Sequence, residues 1–273
     1  MRKLLISGLF ALALLSATAQ AKESWQSLFN GKDLTGWETY LSEQPSSANA
    51  YKSKPSSIRG VNNDPKHVFS VVNGTLRISG EEWGGLTSLT EFENFHLMFD
   101  VKWGEKKWSP KDQAPRDSGI LYFAVGEHGA QSGHWMRSHE FQVEEGNCGD
   151  YHSLDGVTVD APVTDANEGD WKFFRYDPKA TVHTGVHNRI LKLGNYEKTK
   201  NEWTTMEIIA DGKTLIHKVN GHEVLRVANS MQTTADGKSI PLTRGKFQIQ
   251  SEGAEVFYRN IKVTTLTKPA AAY

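Results

Sequence analysis

Glu140, Gln142 and Glu144 recur at every second position of the stretch SHEFQVEEGNC, residues 138 to 148, with Phe141 and Val143 between them. Two residues of a strand advance about 6.6–7 Å and share a face, so the three polar groups would stand in one row while the apolar pair points the other way. A second row, Lys246, Gln248 and Gln250, alternates with Phe247 and Ile249, and Glu252 follows at its end. A carboxylate beside an amide can remove a proton or orient a hydroxyl. A basic group nearby can hold an oxygen that becomes negative during a reaction. Carboxylates and amides with tryptophan rings close by also line carbohydrate clefts. The same alternation describes an antiparallel sheet with one solvated face, and spacing alone does not separate the two.

Strands must carry these rows, and strand signals recur along the chain. Asn73-Gly74 joins two alternating runs in HVFSVVNGTLRIS, as a two-residue hairpin turn does. Further runs follow in GGLTSL, NFHLMFDVKW and SGILYFA, and again in WTTMEIIA, TLIHKV, HEVLRVA, GKFQIQS and VFYRNIKV, with Asp211-Gly212 and Asn220-Gly221 at turns. No long stretch has helical period. Many short strands with polar turns predict an all-β, antiparallel jelly-roll or lectin-like sandwich in a single domain. Residues 39–66, rich in Ser, Pro and Asn, read as a surface excursion, and much of 149–200 reads as loop. Long loops also carry Trp108, Arg116, His128, His134, Trp135 and Arg137, so the site is expected where these loops meet.

The first residues, MRKLLISGLFALALLSATAQA, have two basic groups, an apolar stretch from Leu4 to Leu15 and small residues at Ala19 and Ala21. This is the pattern of a secretory signal peptide cleaved after Ala21, leaving a domain over 22–273 in the periplasm or outside the cell. The apolar stretch is shorter than the roughly 20 residues of a membrane span, so no membrane insertion is expected. Removing Arg2 and Lys3 with the leader takes the formal charge from -1 to -3, with 29 basic residues against 32 acidic ones. That balance argues against nucleic acid as a partner.

Cys148 is the one cysteine, which excludes an internal disulfide and a cysteine-rich zinc site. The minimal motifs of serine hydrolases, zincins, phosphate-loop enzymes and dinucleotide binders are absent. Ten histidines leave a divalent metal on His and carboxylate ligands open, although no cofactor is implied. His139 and Glu140, as strand neighbours, point to opposite faces and would not share an ion. No motif speaks to oligomeric state.

Four segments in order, SLFNGKDLTGW at 27–37, RDSGILYF at 116–123, WMRSHEFQVEEGNCGDY at 135–151 and GKFQIQSEGAEVFYRNIKV at 245–263, resemble the secreted bacterial 3-keto-disaccharide hydrolase family. The likeness runs from about residue 25 to 266. It implies a concanavalin-like jelly-roll sandwich and action on glycosides oxidised to a ketone at carbon 3. The family's Glu-x-Gln strand falls on Glu140 and Gln142, and its Ser-Gly strand on Ser118 and Gly119. Where the family carries Gln-Asp-His-Gly, this chain has Gln250-Ser251-Glu252-Gly253, so no histidine role transfers. The lysines often seen before residues 94–103 are also absent, since the chain reads SLTEFENF there.

The ketone implied by that resemblance acidifies the proton on carbon 2. A base can remove it, and the enolate can expel the aglycone from carbon 1 before water adds. Such a site needs a base, a donor or cation at the ketone oxygen and an acid at the leaving oxygen. Glu140 is the expected base, with His134 next in line, and Gln142 the expected orienting group. Glu252, Arg116 and Arg137 are candidates for the remaining roles. Arg116, Ser118, His134, Trp135, Arg137 and Gln250 are the expected substrate-binding residues. A non-catalytic carbohydrate-binding protein would use the same fold and polar face. A conventional glycosidase is the third reading, although no acid and nucleophile pair identifies itself.

Overall fold

A computed structural model of the protein describes residues 24–45, 54–167 and 172–273. The expected leader and its cleavage point lie outside the described residues. Among those described, no helix is long and apolar enough to cross a membrane, and the one helical element in the secondary structure is a 3-10 turn, Ala270–Ala272.

Alternating sequence makes the sheet two-faced, and burying the apolar faces folds it into two layers. The site-bearing layer runs Ile58–Val61, Trp37–Ser42, Trp83–Ser88, Lys246–Ser251, Asp117–Val125, Arg137–Glu144 and Tyr151–Leu154, all antiparallel. The facing layer runs Phe69–Val72, Thr75–Ile78, Ala254–Thr265, Phe95–Lys107, Thr204–Ala210, Thr214–Val219, His222–Thr233 and Val157–Asp165. This is the expected jelly-roll sandwich. The two-residue turns also form as expected, with positive φ at Asn73 and Gly74 (51° and 75°) and at Asn220 and Gly221 (48° and 79°), which gives the tight twist such hairpins need.

Phe141, Val143, Phe247 and Ile249 all enter the core between the layers, which establishes the register of both polar rows. Phe247 lies 4.6 Å from the ring of Phe92 and 4.8 Å from that of Phe95, centroid to centroid. Phe247→Ala should therefore destabilise the protein by about 3–5 kcal/mol in urea unfolding. An unchanged unfolding midpoint would place this ring outside the core.

Two loop expectations need correction. Trp37–Ser42 is a largely buried strand rather than the start of a surface excursion, since Tyr40 and Leu41 pair with both neighbouring strands. Residues 46–53 of that segment lie outside the described residues. The region 149–200 also contributes strands, at Tyr151–Leu154, Val157–Asp165, Phe174–Tyr176, Val182–Val186 and Ile190–Leu191. Several of these are too short or too exposed to show a hydrophobic period.

Candidate active site

The outer face of the site-bearing layer holds a cleft of about 560 Å³, within the roughly 300–1,000 Å³ usual for a small-ligand site. Strand register sets its floor. Glu140 lies between Leu121 on one neighbouring strand and His152 on the other, Gln142 lies beside Gly119, and Glu144 lies beside Asp117. Gln250 and Glu252 come from the end of the adjacent strand, Lys111 from the loop before Asp117, and Trp135 from the loop before Arg137. Lys172, Phe173, Asn188 and Arg189 form a further wall.

Gly119 opens the centre. A methyl group on its Cα would lie 2.3 Å from Oε1 of Gln250 and 2.5 Å from Oε1 of Glu140, so both side-chain tips converge on the space that a glycine leaves. Although Glu140 is on the outer face, loops cover it to 6 % exposure. Burial, then the charges of Glu252 and Asp117, push its carboxyl well above the usual range, while Lys111 and Arg189 pull the other way. Ionised, such a carboxylate is a stronger base than an exposed one.

The other charges are paired. Lys111 Nζ donates to Asp117 Oδ2 and, at 2.5 Å, to Glu252 Oε1. Burial alone would lower its pKa, but the two carboxylates hold the ammonium firmly protonated. Burial raises both Asp117 and Glu252, and repulsion between the two raises Asp117 further. Arg189 bridges Glu144 at 2.8 Å and Asp150 at 2.7 Å. Burial, with Arg189 and Lys111 nearby, lowers His152 to about 3, so it lines the cleft as a neutral imidazole.

Among the described residues, four buried polar atoms on this lining have no partner: Asp117 Oδ1, Gln142 Oε1, Gln250 Oε1 and His152 Nε2. Buried polar groups are ordinarily satisfied, so this group of acceptors marks a place for a ligand that donates hydrogen bonds. Sugar hydroxyls are such donors.

Of the residues expected in the site, Glu140, Gln142, Trp135, Gln250 and Glu252 come together here. Four do not. Arg116 turns to Glu145, 3.0 Å away, and to the Gly104 carbonyl. Arg137 pairs with Asp155 at 3.0 Å and donates to the Thr233 carbonyl. Ser118 has the opposite strand parity to Asp117 and Gly119, so it faces the core, donating to the Gln250 carbonyl and receiving Tyr258. His134 is fully buried behind Trp83 and Trp135, bonds Ser42 and is lowered to about 4 by burial.

The expected meeting of loop residues is therefore replaced by a site built mainly on strand faces. Lys246 stands elsewhere, paired with Glu38 at 3.0 Å beside His128, and Gln248 bonds Met136 N and Thr87. Sequence reasoning missed Asp117, Lys111, His152 and Arg189 as site residues. For Asp117 the signal was present, since it shares the parity of Gly119 and precedes it by two. For the others no local pattern existed. Among the described residues no group of three His, Cys, Asp or Glu side chains is placed to hold a metal ion.

A structure described as a candidate glycosyl hydrolase from Parabacteroides distasonis ATCC 8503 superposes with a TM-score of 0.52 at 20 % identity, covering 89 % of this chain and 94 % of that one, which shows a shared fold. A second candidate glycosyl hydrolase from the same organism gives 0.49 at 18 % identity, over 89 % and 100 % of the two chains. No curated protein matches the sequence. The model of the 3-keto-alpha-glucoside-1,2-lyase-like domain matches residues 24–264, nearly the whole described chain, and the protein therefore belongs to that family of 3-keto-disaccharide hydrolases.

Proposed function

We propose that the protein is an exported carbohydrate-active enzyme that cleaves glycosidic bonds of 3-keto-glycosides by elimination and hydration. The observation that carries this reading is the buried carboxyl of Glu140, set over Gly119 among unpartnered acceptors that suit sugar hydroxyls. Family membership supports the same chemistry.

Glu140, as carboxylate, takes the proton from carbon 2, and the electron pair moves toward the ketone at carbon 3. The carbonyl re-forms as the bond from carbon 1 to the aglycone oxygen breaks and a double bond forms between carbons 1 and 2. Glu252, whose carboxyl burial raises and whose Oε1 accepts from Lys111 whether or not the group carries a proton, supplies in its protonated form the proton to the leaving oxygen. Water then adds across the double bond. Its hydroxide goes to carbon 1, its other proton goes to Glu252, and Glu140, its proton having exchanged with the water admitted for this step, delivers a solvent-derived proton to carbon 2, so both carboxyls are reset. Gln142 and Gln250 orient the sugar through their free amide oxygens, and Trp135 supplies an apolar wall.

Incubation with a 3-keto-glucoside and, separately, with the parent glucoside tests this function. Turnover of the ketone alone is expected. Turnover of both would indicate a conventional glycosidase, and binding of both without turnover a carbohydrate-binding protein.

A further inference from the structure

Lys111 is held by backbone as well as by charge. Gly253, in a positive-φ turn directly after Glu252, accepts the Trp108 N–H at 2.8 Å, and the Trp108 carbonyl accepts the Lys111 N–H at 2.9 Å. The Trp108 indole donates to the Ser79 carbonyl at 2.9 Å, which fixes the start of the loop. From this anchor the ammonium enters the acidic end of the cleft, 5.3 Å from the ring centroid of Trp83. It fills the space between the Asp117 and Glu252 carboxyl groups.

An ammonium has three donors, and Asp117 and Glu252 engage two of them. Beside it the buried Asp117 Oδ1, and Gln250 Oε1 on the same lining, are unpartnered among the described residues. A structural ion triad would be complete in itself. This one is left with an open donor and open acceptors on the wall of a cleft, a combination that suits a carbonyl flanked by hydroxyls.

Resting on the function proposed above, we propose that Lys111 is a catalytic residue, a built-in cation that receives the ketone oxygen and stabilises the enolate. When the carbon 2 proton passes to Glu140, the electron pair comes to rest on that oxygen beside the Lys111 N–H. When the carbonyl re-forms, the pair leaves with the aglycone oxygen. Lys111 stays protonated throughout and transfers no atom. Its contribution is fixed charge, already oriented by Asp117 and Glu252 before substrate arrives.

The test uses the mature protein, a 3-keto-glucoside, and the variants Lys111→Met and Lys111→Cys. Both variants should lose about 10²–10³-fold in kcat, as removal of one oxyanion donor does, with KM little changed. Alkylating Lys111→Cys with 2-bromoethylamine restores an ammonium at nearly the original reach, and this should recover most of the lost kcat. Iodoacetamide, which adds a neutral group, should not. Cys148 is 1 % exposed, so the native fold shields it from either reagent. Recovery without refolding also shows that the variant had folded. Full kcat in Lys111→Met, a defect confined to KM, or equal recovery with both reagents would overturn the assignment while leaving the proposed reaction in place. A wild-type protein that leaves the 3-keto-glucoside intact would overturn the reaction and, with it, the role of Lys111.

Discussion

Glu140→Gln should lower turnover of a 3-keto-glucoside by about 10²–10⁴-fold, the usual contribution of a general base, while the affinity for substrate changes little. The amide keeps the shape of the side chain and its place over Gly119 but cannot accept the proton from carbon 2. The pH profile gives an independent signature. Burial and the neighbouring acids raise the Glu140 carboxyl, so its basic form appears only as pH rises through a value above the ordinary carboxylate range. The wild-type rate should rise with pH through that raised value. The rising limb should be absent from the residual activity of Glu140→Gln.

Stability moves in the opposite direction. A carboxyl with a raised folded-state pKa contributes stability that is complete below its unfolded pKa and is lost as pH rises through the folded one. Glu140→Gln removes that loss, so the variant should melt no lower than wild type at neutral pH. Inactivity through unfolding is thereby separated from inactivity through chemistry. A melting temperature well below wild type would show that Glu140 supports the fold rather than the reaction.

Gly119→Ala is expected to have the second largest effect. The added methyl would come within 2.5 Å of Glu140 Oε1 and within 2.3 Å of Gln250 Oε1, so one or both side chains must move off the centre of the cleft. A displacement of about 1 Å in a reacting group can lower a rate by about 10²-fold. Such a fall in kcat/KM is expected, with little change in the unfolding midpoint, because the displaced tips lie in a cleft rather than in packed core. Steady-state kinetics and urea unfolding on the same preparation decide it. Unchanged kinetics would show that the meeting of Glu140 and Gln250 over Gly119 is irrelevant to turnover.

The rows that place Glu140, Gln142 and Gln250 were legible because strand period is two and their apolar neighbours, Phe141, Val143 and Ile249, demand burial. The same logic correctly separated His139 from Glu140. His139 lies in the core against Tyr151 and Ser230, and Glu140 lies on the cleft. Ser118 has the other parity and faces the core, although the family motif places it among the site residues. Arg116 and Arg137 failed for another reason. Their partners Glu145 and Asp155 are 29 and 18 residues away, and the pairing emerges only when the strands lie side by side. Lys111 meets Glu252 across 141 positions, and Arg189 meets Glu144 across 45. Charges on loops carry no periodic signal, so the electrostatics of the site became visible only with the fold.

The most direct measurement of the central claim is solvent exchange at carbon 2. In heavy water, wild-type protein acting on a 3-keto-glucoside should incorporate deuterium at carbon 2 of the released sugar, and of recovered substrate where the enolate returns before the aglycone leaves. With Glu140→Gln this incorporation should fall in parallel with turnover, because the same proton transfer governs both. Product with no deuterium at carbon 2 would contradict elimination. Wild-type exchange rates in Glu140→Gln would show that another group removes the proton.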